Sequence, residues 1–336
     1  MIPLPIPGFI DLQVNGYLGI DFSSPDLTEE TFAHACECLF KAGTAAFLPT
    51  VITSPLEVYE RNMPILASVM ARDEFRDRLP GIHLEGPFIS PEPGAVGAHH
   101  PEWVREPDVA TFEQINTWAK HTIRLLTLAA ERDGAQELAR YAAGQGIVVS
   151  SGHSLATATD LDCLAQVGAT ALTHLGNGLP HLLHKFNNPL WAGLADERYT
   201  AMMIGDGHHI PDGVLKAMIH SKGISRTIIV SDAAPVAGLP PGRYTTLGNE
   251  VVLEESGLLH NPQKGFLVGS SATMLVCMNH LASLKIFSLD EILNLGFNNP
   301  LHLIGIPTSS IPTGKALQYD PATHSFSCSP DDLNVS

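Results

Sequence analysis

Apolar residues along the 336-residue chain follow two spacings. Short continuous apolar runs, such as a strand buried on both faces shows, are separated by longer stretches whose apolar positions recur at helical intervals. The runs fall at 8–16, 44–50, 81–87, 122–130, 146–153, 168–174, 199–206 and 226–233. Between them, 28–42, 55–78, 107–120, 135–144, 156–167 and 211–222 carry the helical spacing. Eight strands alternating with helices predict a (β/α)8 barrel, with a doubly wound open sheet as the alternative. After the eighth strand, 242–261 reads as a β-hairpin insertion. Two further helices are expected at 271–285 and 289–304, and from Pro307 the chain is polar and turn-rich. With no linker and no internal repeat, the expected organisation is one barrel over 1–306 with a tail over 307–336. The stretch 88–106, rich in Gly and Pro, is too long for a simple connection and is expected to carry function.

Composition narrows what such a barrel can do. A hydrophobic content of 44% supports a sizeable core, and a formal charge of −16 argues against nucleic acid, which demands clustered Lys and Arg. The cysteines Cys36, Cys38, Cys163, Cys277 and Cys328 form no C-x-x-C pair and read as reduced. No apolar run approaches the ~20 residues of a membrane span and no basic signal region opens the chain, so a cytoplasmic protein is expected.

The polar residues at the strand ends carry the chemistry. The runs at 146–153 and 168–174 each end in a histidine, His153 and His174, which places two imidazoles on neighbouring parallel strands at one mouth. Gln13 and Asn15 end the first strand, Glu85 the third and Asp232 the eighth, and His209 follows the seventh. In a barrel of this type the reacting groups sit at the carboxyl ends of the strands. One carboxylate and two imidazoles suit a borderline divalent ion such as Zn2+ and leave a coordination position for water, whose proton Asp232 can take. Taken singly, each has a structural alternative: a satisfied core histidine, a helix-entry turn at Glu85, a helix cap at Asp232, polar strand ends at Gln13 and Asn15.

The ordered set Gln13-Val14-Asn15-Gly16, His83-Leu84-Glu85-Gly86-Pro87, Gly97-Ala98-His99, Ser151-Gly152-His153, Thr173-His174 with Asn177, Asp206-Gly207-His208-His209 and Ser231-Asp232 resembles the N-acetylglucosamine-6-phosphate deacetylases of the amidohydrolase superfamily. The resemblance spans nearly the whole chain. It implies a hydrolase that removes the acetyl group from an N-acetylated amino sugar. It also implies Glu85, His153 and His174 as metal ligands, Asp232 as catalytic acid/base, and His209 as the residue that polarises the amide or holds the sugar. Ala98, His99, Asn177, Gly178, Leu267 and Val268 match substrate-contacting positions. The Gln13-x-Asn15 form resembles members that bind one metal, here expected to be zinc, with iron, manganese or cobalt as alternatives. A homodimer is usual in the family.

The chain also departs from the family pattern. Gly176 and Gly178 replace an aromatic residue and an alanine, and Val96 stands where a lysine is common. Lys185, followed by Phe186-Asn187-Asn188-Pro189, takes the place of the arginine that holds the sugar phosphate, and a lysine lacks the bidentate fork. Only seven residues precede Gly8, so the family's small β-sandwich is expected to be largely missing, with Gly314 to Asp320 as its remnant. Two other functions fit the same residues: an amidohydrolase for N-acyl amino acids or cyclic amides, and a catalytically inactive sugar-binding relative.

Overall fold

The computed structural model describes residues 2–4, 6–312 and 317–328. Eight parallel strands, β1 Phe9–Val14, β2 Thr44–Ile52, β3 Ile82–Glu85, β4 Ile123–Leu128, β5 Val148–Ser151, β6 Ala171–Leu172, β7 Thr200–Ile204 and β8 Thr227–Val230, pair each with the next in chain order. Each is followed by a helix: α1 Glu29–Lys41, α2 Leu56–Met70, α3 Val109–Trp118, α4 Ala135–Gly144, α5 Ala158–Gln166, α6 Pro189–Ala195, α7 Asp212–Lys222 and α8 Met274–Ser283. This is the expected (β/α)8 barrel. The strand runs are continuous because helices cover one face and the barrel interior fills the other, so every residue of β1, β2 and β8 is buried. Helix α1 shows the complementary pattern: Phe32, Ala35, Cys36 and Leu39 face inward at helical spacing, and Thr28 caps its start by accepting from the Thr31 amide.

Four details differ from the sequence expectation, each for a local reason. Helix α2 stops at Met70 instead of 78. The segment beyond it is pinned by Arg78, whose guanidinium lies 3.5 Å from the Phe40 ring centroid and donates to the Thr44 and Ala45 carbonyls of β2. Helix α6 was not anticipated, being a single short stretch started by an Asn188 cap and by Pro189 at its first position. The 289–304 helix is divided into Leu289–Leu293, a π-helical stretch Asn294–Asn298, and Asn299–Leu303. The insertion holds two more strands than a hairpin: β9 Gly242–Thr246, β10 Asn249–Leu253, β11 Leu259–Asn261 and β12 Phe266–Leu267 form an antiparallel sheet. Val251, Leu253, Leu259 and Val268 join Ile52, Ala234 and Val236 of the barrel mouth in a small apolar cluster distinct from the main core.

At the other end, Ile2–Pro3, Leu317–Asp320 and Ser325–Cys328 form a three-stranded antiparallel sheet, so Leu317 to Asp320 of the anticipated remnant is a strand. Its Gly314 to Ala316 portion lies outside the described residues. Among the described residues, no helix is long and apolar enough to cross a membrane.

No continuous ladder joins β8 to β1. The joint is made by an isolated parallel bridge between Val14 and Ala233, by the Asn15 amide donating to the Ala233 carbonyl (2.8 Å), and by Asp11. The fully buried Asp11 accepts from the Ser231 hydroxyl and from the amides of Ser231 (3.2 Å) and Gln13 (3.3 Å). Burial pushes its carboxyl up to about 7 despite those donors. The folded state therefore binds the Asp11 proton more tightly than the unfolded chain does. Its stabilising contribution is complete below the ordinary value near 3.8 and is lost as pH rises through about 7. Asp11→Asn should consequently flatten the fall in thermal midpoint between about pH 4 and pH 7 relative to wild type. Parallel midpoint curves for the two proteins would show that Asp11 carries no such linkage.

Candidate active site

The carboxyl ends of the strands bring the anticipated residues to one mouth. Glu85 Oε1, at the end of β3, lies 2.9 Å from His174 Nε2 and 3.2 Å from His153 Nε2, and the two imidazole nitrogens are 3.0 Å apart. All three residues are buried. The first strand supports this triangle from behind: Gln13 Nε2 donates to Glu85 Oε1 (2.9 Å), and Asn15 Nδ2 donates to Asp232 Oδ1 (2.8 Å). Asp232 and the triangle face one cavity of about 820 Å3, which Asn15, His99 and His209 also line.

His153, His174 and Asp232 all adopt left-handed backbone, with φ of 48°, 30° and 51°. Side chains other than glycine take this conformation at a cost of about 1–3 kcal/mol, and such residues cluster at functional sites. The left-handed step turns each strand end inward. Gly97 and Gly178, at φ 59° and 61°, close on the His153 ring so tightly that a Cβ on Gly178 would stand 2.7 Å from Nδ1. The glycine that departs from the family's alanine thus sits directly against a candidate ligand.

The hydrogen bonds decide which ring nitrogen can bind a cation. His153 Nδ1 donates to the Ala95 carbonyl (2.7 Å), so the neutral ring turns the lone pair of Nε2 toward Glu85 Oε1. A lone pair facing a carboxylate oxygen with no proton between them calls for positive charge. With no cation there, protons on the facing imidazoles do that work: burial pushes Glu85 upward, but hydrogen bonds and charge from protonated His153 and His174 outweigh it and hold the carboxyl well below its ordinary range. Burial likewise opposes charge on His174, yet Glu85 raises it. A divalent cation fits the place that a proton on His174 otherwise fills. His174 Nδ1, Gln13 Oε1 and Asn15 Oδ1 are buried without partners in the protein, which concentrates unspent polarity at this point.

His99 offers a second grouping, since Glu85, His99 and His153 have ligand atoms within 4.8 Å of one another. The tautomer argues against it as a ligand. His99 Nδ1 accepts from the Thr53 amide (3.3 Å), and burial beside His153 pushes the ring down to about 3, so the neutral ring carries its proton on Nε2, 4.0 Å from Glu85 Oε2. His99 presents a donor to the cavity, and His174 completes the tighter triangle.

Asp232 has the opposite bias to Glu85. Burial, reinforced by the Glu85 charge, pushes its carboxyl up to about 6. His209 is held by Asp206, which the sequence reading did not single out as a site residue. His209 Nδ1 donates to Asp206 Oδ2 (2.7 Å), while the His208 and His209 amides donate to Oδ1 (2.9 Å each), leaving His209 Nε2 to the cavity. The Asp-x-x-His spacing was the available signal. Beneath the triangle, His83 Nδ1 donates to the Leu12 carbonyl (3.1 Å), and its Nε2 meets Thr127, which continues to Thr173 and Ser150.

Of the expected substrate contacts, Ala98, His99, Asn177, Gly178, His209 and Leu267 line the cavity. Val268 is fully buried behind it. Lys185 is exposed on the 181–187 segment, its ammonium 5.4 Å from the Phe186 ring centroid, and is not part of the cavity wall.

Comparisons with known proteins follow the same lines. No family model matches the chain. It is 34% identical over 313 residues to the N-acetylglucosamine-6-phosphate deacetylase of Bos taurus, covering 89% of this chain and 74% of the relative. It is 30% identical over 302 residues to the N-acetylgalactosamine-6-phosphate deacetylase of Escherichia coli O157:H7, covering 89% of this chain and 78% of that protein. Among solved structures, a mutant N-acetyl-D-glucosamine-6-phosphate deacetylase from Mycobacterium smegmatis in complex with N-acetyl-D-glucosamine-6-phosphate superposes with a TM-score of 0.85 at 25% identity, covering 96% of this chain and 84% of its own.

Proposed function

The chain belongs to the N-acetylglucosamine-6-phosphate deacetylase family, and from that premise we propose that it hydrolyses the acetamide of N-acetylglucosamine 6-phosphate or a close epimer. The products are acetate and the free amine. The observation that carries this is the Glu85, His153 and His174 triangle set beside Asp232 in one cavity.

Glu85, His153 and His174 would hold a single divalent cation, with zinc the ion best matched to one carboxylate and two imidazoles and iron, manganese or cobalt as alternatives. When bound, such an ion supplies Lewis acidity, lowering the pKa of a water toward about 7 and offsetting charge on the acetyl oxygen. The protein's own residues do the rest. Asp232, oriented by Asn15, takes a proton from the attacking water and then delivers it to the leaving nitrogen as the C–N bond breaks. A carboxyl near 6 suits both halves of that exchange. His209 Nε2, when protonated, donates to the acetyl oxygen, and Asp206 keeps the ring turned that way. Gln13 fixes Glu85, and His99 donates from the cavity wall.

Two measurements test these assignments. Elemental analysis of the purified protein should find close to one divalent ion per chain, lost in His153→Ala and His174→Ala; full occupancy in both variants would remove the triangle from metal binding. Asp232→Asn should keep the metal and the fold while turnover drops by about 10²-fold or more. Near-normal turnover in that variant would exclude Asp232 as the proton carrier.

A further inference from the structure

A phosphorylated sugar brings up to two negative charges to a protein of net charge −16, so the cavity needs a cation at the sugar's far end. Lys185 is exposed and is not part of this cavity's wall, and among the described residues that wall contains one lysine or arginine, Lys264. Lys264 lies in the turn between β11 and β12 of the insertion sheet. Its ammonium donates to Asn249 Oδ1 (3.2 Å) and stands 5.6 Å from the Phe266 ring centroid. Asn249 is buried, and its own amide donates to the carbonyls of Ala98 (3.0 Å) and Leu247 (2.9 Å). The lysine is therefore hung from the same amide that grips the loop carrying Ala98 and His99. Among the described residues no carboxylate forms an ion pair with it, so its charge is uncommitted.

We propose that Lys264 is the specificity-determining cation of this enzyme, receiving the phosphate of the substrate from the insertion sheet in place of Lys185. This rests on the deacetylase function proposed above. An ammonium with three rotatable donors reaches a phosphate as a point charge and leaves its orientation to the neighbouring donors.

The test is kcat/KM for N-acetylglucosamine with and without the 6-phosphate, in wild type, Lys264→Met, Lys264→Arg and Lys185→Met. Lys264→Met should lower kcat/KM on the phosphorylated sugar about tenfold to a hundredfold, the scale of one charged hydrogen bond, and should do so through KM. Lys264→Arg, which keeps the charge, should recover most of that loss. Thermal unfolding of the exposed-site variants checks that they are folded. Unchanged selectivity in Lys264→Met, or a loss confined to Lys185→Met, overturns the inference while the deacetylase reading stands. Equal wild-type rates on the two sugars also overturn it. If wild type releases acetate from neither sugar, the deacetylase reading fails and takes this inference with it.

Discussion

The mouth of the barrel depends on how its first and last strands are held together. Six of the seven strand-to-strand joins beyond β1 and β2 are likewise backbone ladders, but β8 meets β1 through one bridge and a set of buried polar side chains. Asp11 clasps Ser231 below, and Asn15 holds Asp232 above. The seam is thus also the point where the proposed proton carrier is aimed. Side-chain contacts make it shorter-ranged and more demanding than a ladder: each group must find its partner in a dry interior, where an unmatched donor or acceptor costs about 1–3 kcal/mol.

The site above that seam is built from conflicts that only a ligand resolves. Three residues accept left-handed backbone, two imidazole nitrogens crowd one carboxylate, and several buried polar atoms go unpaired. A sequence optimised for stability alone would relieve each of these, and their coincidence at one point marks the place where stability has been exchanged for chemistry. Asp232 and Glu85 illustrate the division of labour. Two buried carboxyls on the same mouth are driven apart, one upward by burial and its neighbour's charge, the other downward by imidazoles, and so suit proton transfer and cation binding respectively.

Much of this was legible along the chain because it is written in side chains at strand ends. Parallel strands buried on both faces leave continuous apolar runs, and Glu85, His153, His174 and Asp232 each close such a run. What escaped was carried by backbone or by distant partners. The Ala95 carbonyl that sets the His153 tautomer has no residue signature, and Thr53 meets His99 across 46 positions. Short helix α6 lacks the turns that periodicity needs, and Arg78 ends α2's neighbourhood through carbonyls of a strand rather than through a helix stop signal. Lys185 holds the place of an arginine along the chain, but which residues line the cavity is set by the course of the 181–187 loop in three dimensions.

The insertion sheet packs on an apolar cluster distinct from the main core, shared with Ile52, Ala234, Val236 and Ala98 at the barrel mouth, and Asn249 donates to the Ala98 carbonyl. An element whose apolar cluster is separate from the main core can be remodelled at less cost to the barrel than one sunk into that core. On the proposed role of Lys264, substrate choice and catalytic power are carried by different packing clusters. Change in the first can accumulate without unfolding the second, and a lineage can exchange one sugar for another by altering a flap while the eight strands remain as they are.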